Sequence, residues 1–183
     1  VAASAGARNE AVNITITGDA TIAQATTAED ASNSGTVTVG TITDTAAAIA
    51  ASTNLVITNS AGAVTASTTA TTAQAATIAA FSQAVVYNVS GTAAEIVAAS
   101  AGARAASTNA VITNSAGAVT ASDAATVAEA TTIDAFAKAV VFAVSDTATA
   151  IAASSDAALD EATTVTASTA ATVAEATTID AFA

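Results

Sequence analysis

One stretch of this chain occurs twice, almost letter for letter. Val119–Ala137, VTASDAATVAEATTIDAFA, returns at Val165–Ala183 as VTASTAATVAEATTIDAFA, with Asp123 exchanged for Thr169. A looser copy, VTASTTATTAQAATIAAFS, occupies Val64–Ser82. Tandem copies restrict a chain to architectures in which one small unit stacks on the next. The repetition says how the chain is built and carries no chemistry, so function must be argued from architecture.

The apolar content points the same way. Of the 183 residues 52% are hydrophobic but only 3% aromatic, so the apolar surface is chiefly Ala and Val. These side chains bury little area each, and at roughly 25 cal/mol per Å² a compact core made of them is thin. Stacked units avoid the problem, because each covers the apolar face of its neighbour. A net charge of −12 with three basic residues excludes a basic face for nucleic acid or anionic lipid. It suits a surface that repels its own copies in low salt, or one that uses cations to bring them together. No cysteine is present, which removes disulfides and thiolate metal sites. No apolar run is long enough to predict a membrane span, and no leader pattern stands beside Val1. VAASAGAR at Val1–Arg8 recurs at Val97–Arg104, and Ala183 aligns with Ala137. The sequence therefore reads as a window from a longer polypeptide, with a partial repeat over 1–35, repeats over 36–84 and 85–139, and an incomplete repeat over 140–183.

Each repeat is expected to hold two strand-plus-helix halves. In the first half, Val140, Phe142 and Val144 alternate with Val141 and Ala143, and Val85, Tyr87 and Val89 repeat the pattern. Alternation of this kind predicts a half-buried strand. Asp146, or Ser90 and Asp44 at the same place, then offers an oxygen to cap the following helix, and Thr92 and Glu95 have capping-box spacing. Gly40, between Val39 and Ile42, predicts a bulge. The second half opens with a strand around Val165–Ala167 and its equivalents. A helix over Ala124–Ala139 follows, with Val127, Ile133 and Phe136 as its apolar stripe and Ala130 and Ala137 between them. Thr126 and Glu129 form a capping box there, and Asp134 faces Lys138 at i+4. Phe136 and its equivalents Phe81 and Phe182 are expected to be buried. Between the halves lies a piece of variable length. There Asn114–Gly117 predicts a turn between two short strands, Val56–Thr65 carries the same NSAG turn, and Val12, Ile14 and Ile16 share one strand face. Arg8 and Arg104 lie in this variable edge.

Catalysis has little to work with. Without His or Cys the usual general base and thiol nucleophile are missing, and no Ser or Thr stands in a nucleophile-elbow or Ser-x-x-Lys context. The acid pairs Asp160–Glu161 and Glu29–Asp30 read as solvated loops or helix caps. Carboxylates are the metal ligands present and would favour Ca²⁺. No calcium-loop motif accompanies them, and Asp44, Asp123 and Asp146 read as helix caps. No catalytic, cofactor or metal residue is therefore assigned, and weak Ca²⁺ binding by surface carboxylates is the remaining cation chemistry. Thr-x-Thr pairs at Thr15/Thr17, Thr36/Thr38, Thr41/Thr43 and Thr43/Thr45 have the look of an ice-binding ladder but do not recur in later repeats. They read as solvent-facing strand. Asn13-Ile14-Thr15 and Asn88-Val89-Ser90 match the glycosylation sequon inside predicted strands.

V-x-V-S-D-T-A-x-x-I-A-A-S followed by V-T-A-S-x-A-A-T-V-A-E-A-T-T-I-D-A-F-A resembles the repeats of very long secreted surface proteins of bacteria, cyanobacteria especially. The resemblance covers essentially the whole chain. It implies export without an N-terminal signal, an extracellular or cell-surface location, and a part in adhesion, layer formation or surface motility. It implies no catalytic residues. Together these readings predict an α/β repeat: a right-handed solenoid of strand–helix half-repeats with a parallel sheet along one side, an all-β solenoid being the alternative. The expected function is structural, in a layer, sheath or filament of identical copies. An adhesin-type module binding glycan or ice through the variable edge is the rival, and divalent cations are a further candidate partner.

Overall fold

The structure, a computed structural model, describes residues 4–32, 34–103, 117–136 and 138–182. It divides into two compact units, one running to Asn88 and including Gly117, the other starting at Val89. The division falls within 85–139, the stretch read from sequence as one repeat. Each unit is built on a four-stranded parallel sheet whose strands lie side by side in chain order. Consecutive parallel strands require a crossover, and short helices supply it.

The first unit runs α1 (Ala5–Glu10), β1 (Ile14–Ala20), α2 (Ile22–Glu29), β2 (Val37–Asp44), α3 (Ala46–Ala50), α4 (Asn54–Thr58), β3 (Val64–Ala66), α5 (Thr72–Ala79) and β4 (Val85–Val86). Ile42 pairs with Val64 and Val64 with Val85, so the inward residues form one apolar row. Ile49, Ile57, Ile78 and Tyr87 complete that core. The second unit runs β5 (Val89–Gly91), α6 (Ala93–Ala103), β6 (Val119–Ala125), α7 (Val127–Asp134), β7 (Val140–Asp146), α8 (Ala148–Ala152), α9 (Asp156–Asp160), β8 (Val165–Ala167) and α10 (Val173–Asp180). Val89, Val119 and Val140 are in register, with Ile96, Ile133, Phe142 and Ile151 buried around them. Neither sheet closes into a barrel among the described residues.

The mixed α/β class and the parallel sheets match expectation, and the all-β alternative does not hold. The Thr- and Ala-rich stretches are helical because their ends are well capped. Thr21, Thr71, Thr126 and Thr172 each form a capping box with the Gln or Glu at N3. Inside these helices the Thr hydroxyls bond back to the carbonyl four residues earlier, as Thr131 does to Val127 at 2.9 Å and Thr132 to Ala128 at 3.0 Å. This satisfies the hydroxyl without breaking the helix.

Alternation also reads through. Val140, Phe142 and Val144 are buried while Val141 is 49% exposed. Other details differ. Asp44 and Asp146 are not N-caps; the caps are Thr45 and Thr147, one residue later. Phe136 lies beyond α7, whose C-cap is Ala135. It is still buried, whereas Phe81 and Phe182 are half-buried. Since α7 stops at Asp134, Asp134 and Lys138 do not share a helix face. Val56–Thr58 is the end of α4 and not a strand. Val12 precedes β1 and is 66% exposed. The bulge lies on β1 opposite Gly40: pairing passes from Ile16–Val39 to Asp19–Thr41, with Gly18 at φ 95° taking up the extra residue. Gly40 is needed for closeness, because a Cβ there would stand 2.6 Å from the Gly18 carbonyl oxygen. Arg104 and Asn114–Ala116 lie outside the described residues.

Candidate functional site

Three features gather the polar side chains that the sequence singles out. The first is a series of links between successive strand–helix segments. A helix leaves its first backbone N–H groups without intrahelical partners. In five helices of this chain the N1 amide is closed by a side chain from the next strand segment. Ile22 donates to Asp44 Oδ2 at 2.9 Å and Ala46 to Thr68 Oγ1 at 3.0 Å. In the second unit, Ala93 donates to Asp123 Oδ1 at 2.7 Å, Val127 to Asp146 Oδ2 at 3.0 Å, and Ala148 to Thr169 Oγ1 at 3.0 Å. Asp44 and Asp146 do this twice, since Oδ1 of each also accepts the N–H of its own following residue, Thr45 at 2.8 Å and Thr147 at 2.7 Å. The aspartates read as caps of the following helix instead bond the N1 amide of the preceding helix, Asp44 and Asp146 also holding the N–H of the next helix's cap Thr, and Asp123 bonding the preceding helix alone. Negative charge at a helix N-terminus also meets the positive end of the helix dipole.

A sequence signal for this existed. Asp123 and Thr169 are the single difference between the near-identical copies, and both perform the same link, as Thr68 does in the looser copy. The position is filled by Thr or Asp, each a short side chain with an acceptor oxygen.

The second feature is the outward face of each sheet. Across adjacent strands Thr15 pairs with Thr38, and Thr43 with Thr65 and then Val86. In the other unit Ser90 pairs with Thr120 and then Val141, and Ser145 with Thr166. Val86 and Val141 are 42% and 49% exposed. Thr-x-Thr along one strand does not recur, but hydroxyl and methyl groups recur across strands at the spacing of a sheet, about 4.8 Å. No charged side chain stands in these rows. Of the sequons, Asn13 is exposed and its Oδ1 accepts the Thr36 N–H at 2.9 Å.

The third is a cleft of about 660 Å³ in the first unit, lined in part by Glu29, Thr36, Thr38, Thr58, Asn59 and Ser60. Its polar groups are turned on one another: Asn59 Nδ2 donates to Glu29 Oε1 at 2.6 Å. The Oγ of buried Ser60 lies 3.1 Å and 3.0 Å from the carbonyls of Gly40 and Gly62. Asp30 is the C-cap of α2. Asp160 ends α9, and Glu161 is its C-cap. Among the described residues no group of three or more acidic side chains is placed to hold a metal ion, and no helix is long and apolar enough to cross a membrane.

Two titrating groups are perturbed. Burial pushes the Tyr87 phenol up to about 12. Hydrogen bonds to Glu175, from Thr149 Oγ1 at 2.6 Å and then from the Thr172 backbone and hydroxyl, hold its carboxyl below the ordinary value. Tyr87 lines a hollow of about 240 Å³ with Ile78, Phe81, Ser82 and Gln83.

No protein-family model matches the chain, and neither a curated protein nor a solved structure is significantly similar to it.

Proposed function

We propose that this chain is a structural repeat segment of an extracellular or cell-surface assembly, wound as a right-handed solenoid, and that it does no chemistry of its own. The observation that carries this reading is the use made of its repeated polar side chains. Asp44, Thr68, Asp123, Asp146 and Thr169 are each spent on joining one strand–helix segment to the next. A catalytic chain would instead converge some of its polar groups on a cavity. The handedness follows the strong preference of parallel strand crossovers. Lateral contact between identical copies uses the uncharged Thr, Ser and Val rows of the sheets. The net charge of −12 opposes that contact until ions screen it. Light scattering tests the reading: association should rise with NaCl or Ca²⁺ and fall on chelation or dilution of salt. A chain that stays monomeric under all these conditions is not an assembling one.

The second reading is a binding module, and one observation favours it. The cross-strand rows of Thr, Ser and Val present hydroxyl and methyl groups on the sheet faces, in place of the variable edge expected from sequence. Thermal-hysteresis and glycan-array measurements address it, and a positive result with a monomeric chain selects it.

A further inference from the structure

The near-identical copies form the same helix, after a strand of seven residues in the first copy and three in the second, with very different burial. In α7, Ala130 and Ile133 are 0% and 2% exposed, and Phe136 beyond it is 8% exposed. In α10 no residue is buried, Val173 is 86% exposed, and Ile179 and Phe182 are only half-covered. Val119 at the start of β6 is fully buried, while Val165 at the start of β8 is 39% exposed. Sequence, helix length and capping box are the same in both. What differs is the neighbour. β7 pairs in parallel with β6, α9 packs on α7, and Asp146 closes the Val127 N–H. Beside β8 and α10 lies an open apolar hollow of about 110 Å³ lined by Ile151, Leu159, Val165, Ile179 and Phe182 with Asp160. Among the described residues no side chain closes the Val173 N–H.

We propose that this face, Val165–Phe182, is a docking surface for a strand–helix polypeptide segment of the Val140–Ala152 type. The proposal rests on reading the chain as a stack of such segments. The occupant is specified by the covered copy. It adds a parallel strand to the free edge of β8, with apolar side chains at alternate positions as in Val140, Phe142 and Val144. It ends in a carboxylate, placed like Asp146 directly before a helix-capping Thr, that accepts the Val173 N–H. Main-chain pairing supplies the attachment, and the alternate side chains and the carboxylate supply the selection. A second copy of this chain offers a poorer fit through its β1, because the residue before the cap Thr21 is Ala20, which has no acceptor.

The test extends the full chain by a second copy of Lys138–Ser154 joined after Ala183, and reads amide hydrogen exchange residue by residue. Exchange at Val173, Ala176 and Ile179 should slow by about tenfold or more, toward the values of Val127, Ala130 and Ile133. The Asp146→Ala change made in the appended copy alone should return the Val173 amide toward fast exchange and leave Ile179 protected. An extension of scrambled order should protect neither. Unchanged exchange at Val173 and Ile179 in the extended chain overturns the proposal. So does protection of these amides in the unextended chain that grows with its concentration, because a second copy then covers the face. The salt response of the unextended chain in light scattering is a separate readout, so lateral assembly and this docking surface can fail independently.

Discussion

The carboxylate of Asp146 closes the first turn of a helix that begins 19 residues earlier, its Oδ2 accepting the Val127 N–H at 3.0 Å. Its other oxygen holds Thr147, the cap of the next helix, at 2.7 Å. One side chain therefore satisfies two orphan amides on two successive helices. Removing it in Asp146→Ala should destabilise the second unit by about 2 kcal/mol, the sum of two modest caps. Asp146→Asn keeps one acceptor oxygen and should lose roughly half as much. Denaturant unfolding gives the comparison, and a wild-type midpoint for the alanine variant would show that the link contributes nothing.

A second prediction concerns acid. Glu175 completes the capping box of α10 and also accepts from Thr149 on α8. Its carboxyl titrates below the ordinary 4.5 because these bonds favour the charged form. A depressed carboxyl contributes stability that is fully present above the unfolded-state value and is lost as pH falls through the folded one. The link between α8 and α10 should therefore loosen as the solution is taken from about pH 4.5 downward, and not at neutral pH. Carboxyl chemical shifts across that range locate the midpoint. Thr149→Ala should move it up toward the ordinary value, and an unmoved midpoint would remove Thr149 as the main cause.

Much of the fold was legible because it is written in local signals. Thr126 and Glu129 state a helix start by themselves, and Val140, Phe142 and Val144 state a strand by alternation. What was not legible depends on residues far apart in sequence. Asp44 looks like an ordinary cap because its nearest helix follows it; that it also serves Ile22 is fixed by strand pairing. Phe136 continues the helical spacing on paper, but the helix ends before it and the ring is buried from a turn. Gly40 signalled an irregularity correctly, yet the extra residue sits on the partner strand at Gly18. The Thr rows were hidden for the same reason, since Thr43 meets Thr65 only across the sheet. The candidate site was thus legible in its residue types and invisible in its geometry.

The repeated sequence provides a matched pair for measuring burial. Ile133 and Ile179 stand in the same VAEATTIDAF context, with the same helix and the same cap. Ile133 is 2% exposed and Ile179 is half-covered. Ile133→Ala should cost about 2–5 kcal/mol, as deletions of buried aliphatic side chains do. Ile179→Ala should cost under about 1 kcal/mol, because its apolar surface is only partly removed from water. Helix propensity cancels between the two, so the difference reports packing alone. Equal costs would mean that the face of α10 is covered in solution.

Tyr87 allows the core of the first unit to be read directly. It is the single tyrosine of a chain without tryptophan, and it is 2% exposed. Burial favours the neutral phenol and raises its ionisation from 10.0 to about 12. Between those values the unfolded chain has released the proton and the folded chain has kept it. Folded stability is therefore whole below pH 10 and declines as pH rises toward 12. Two pH units of separation correspond to at most about 3 kcal/mol. Phenolate absorbance should stay low through pH 10 and rise late, together with loss of the first unit's circular dichroism. In denaturant the same absorbance should appear around pH 10. A native chain that ionises near 10 without unfolding would place the ring in water and displace Tyr87 from the core.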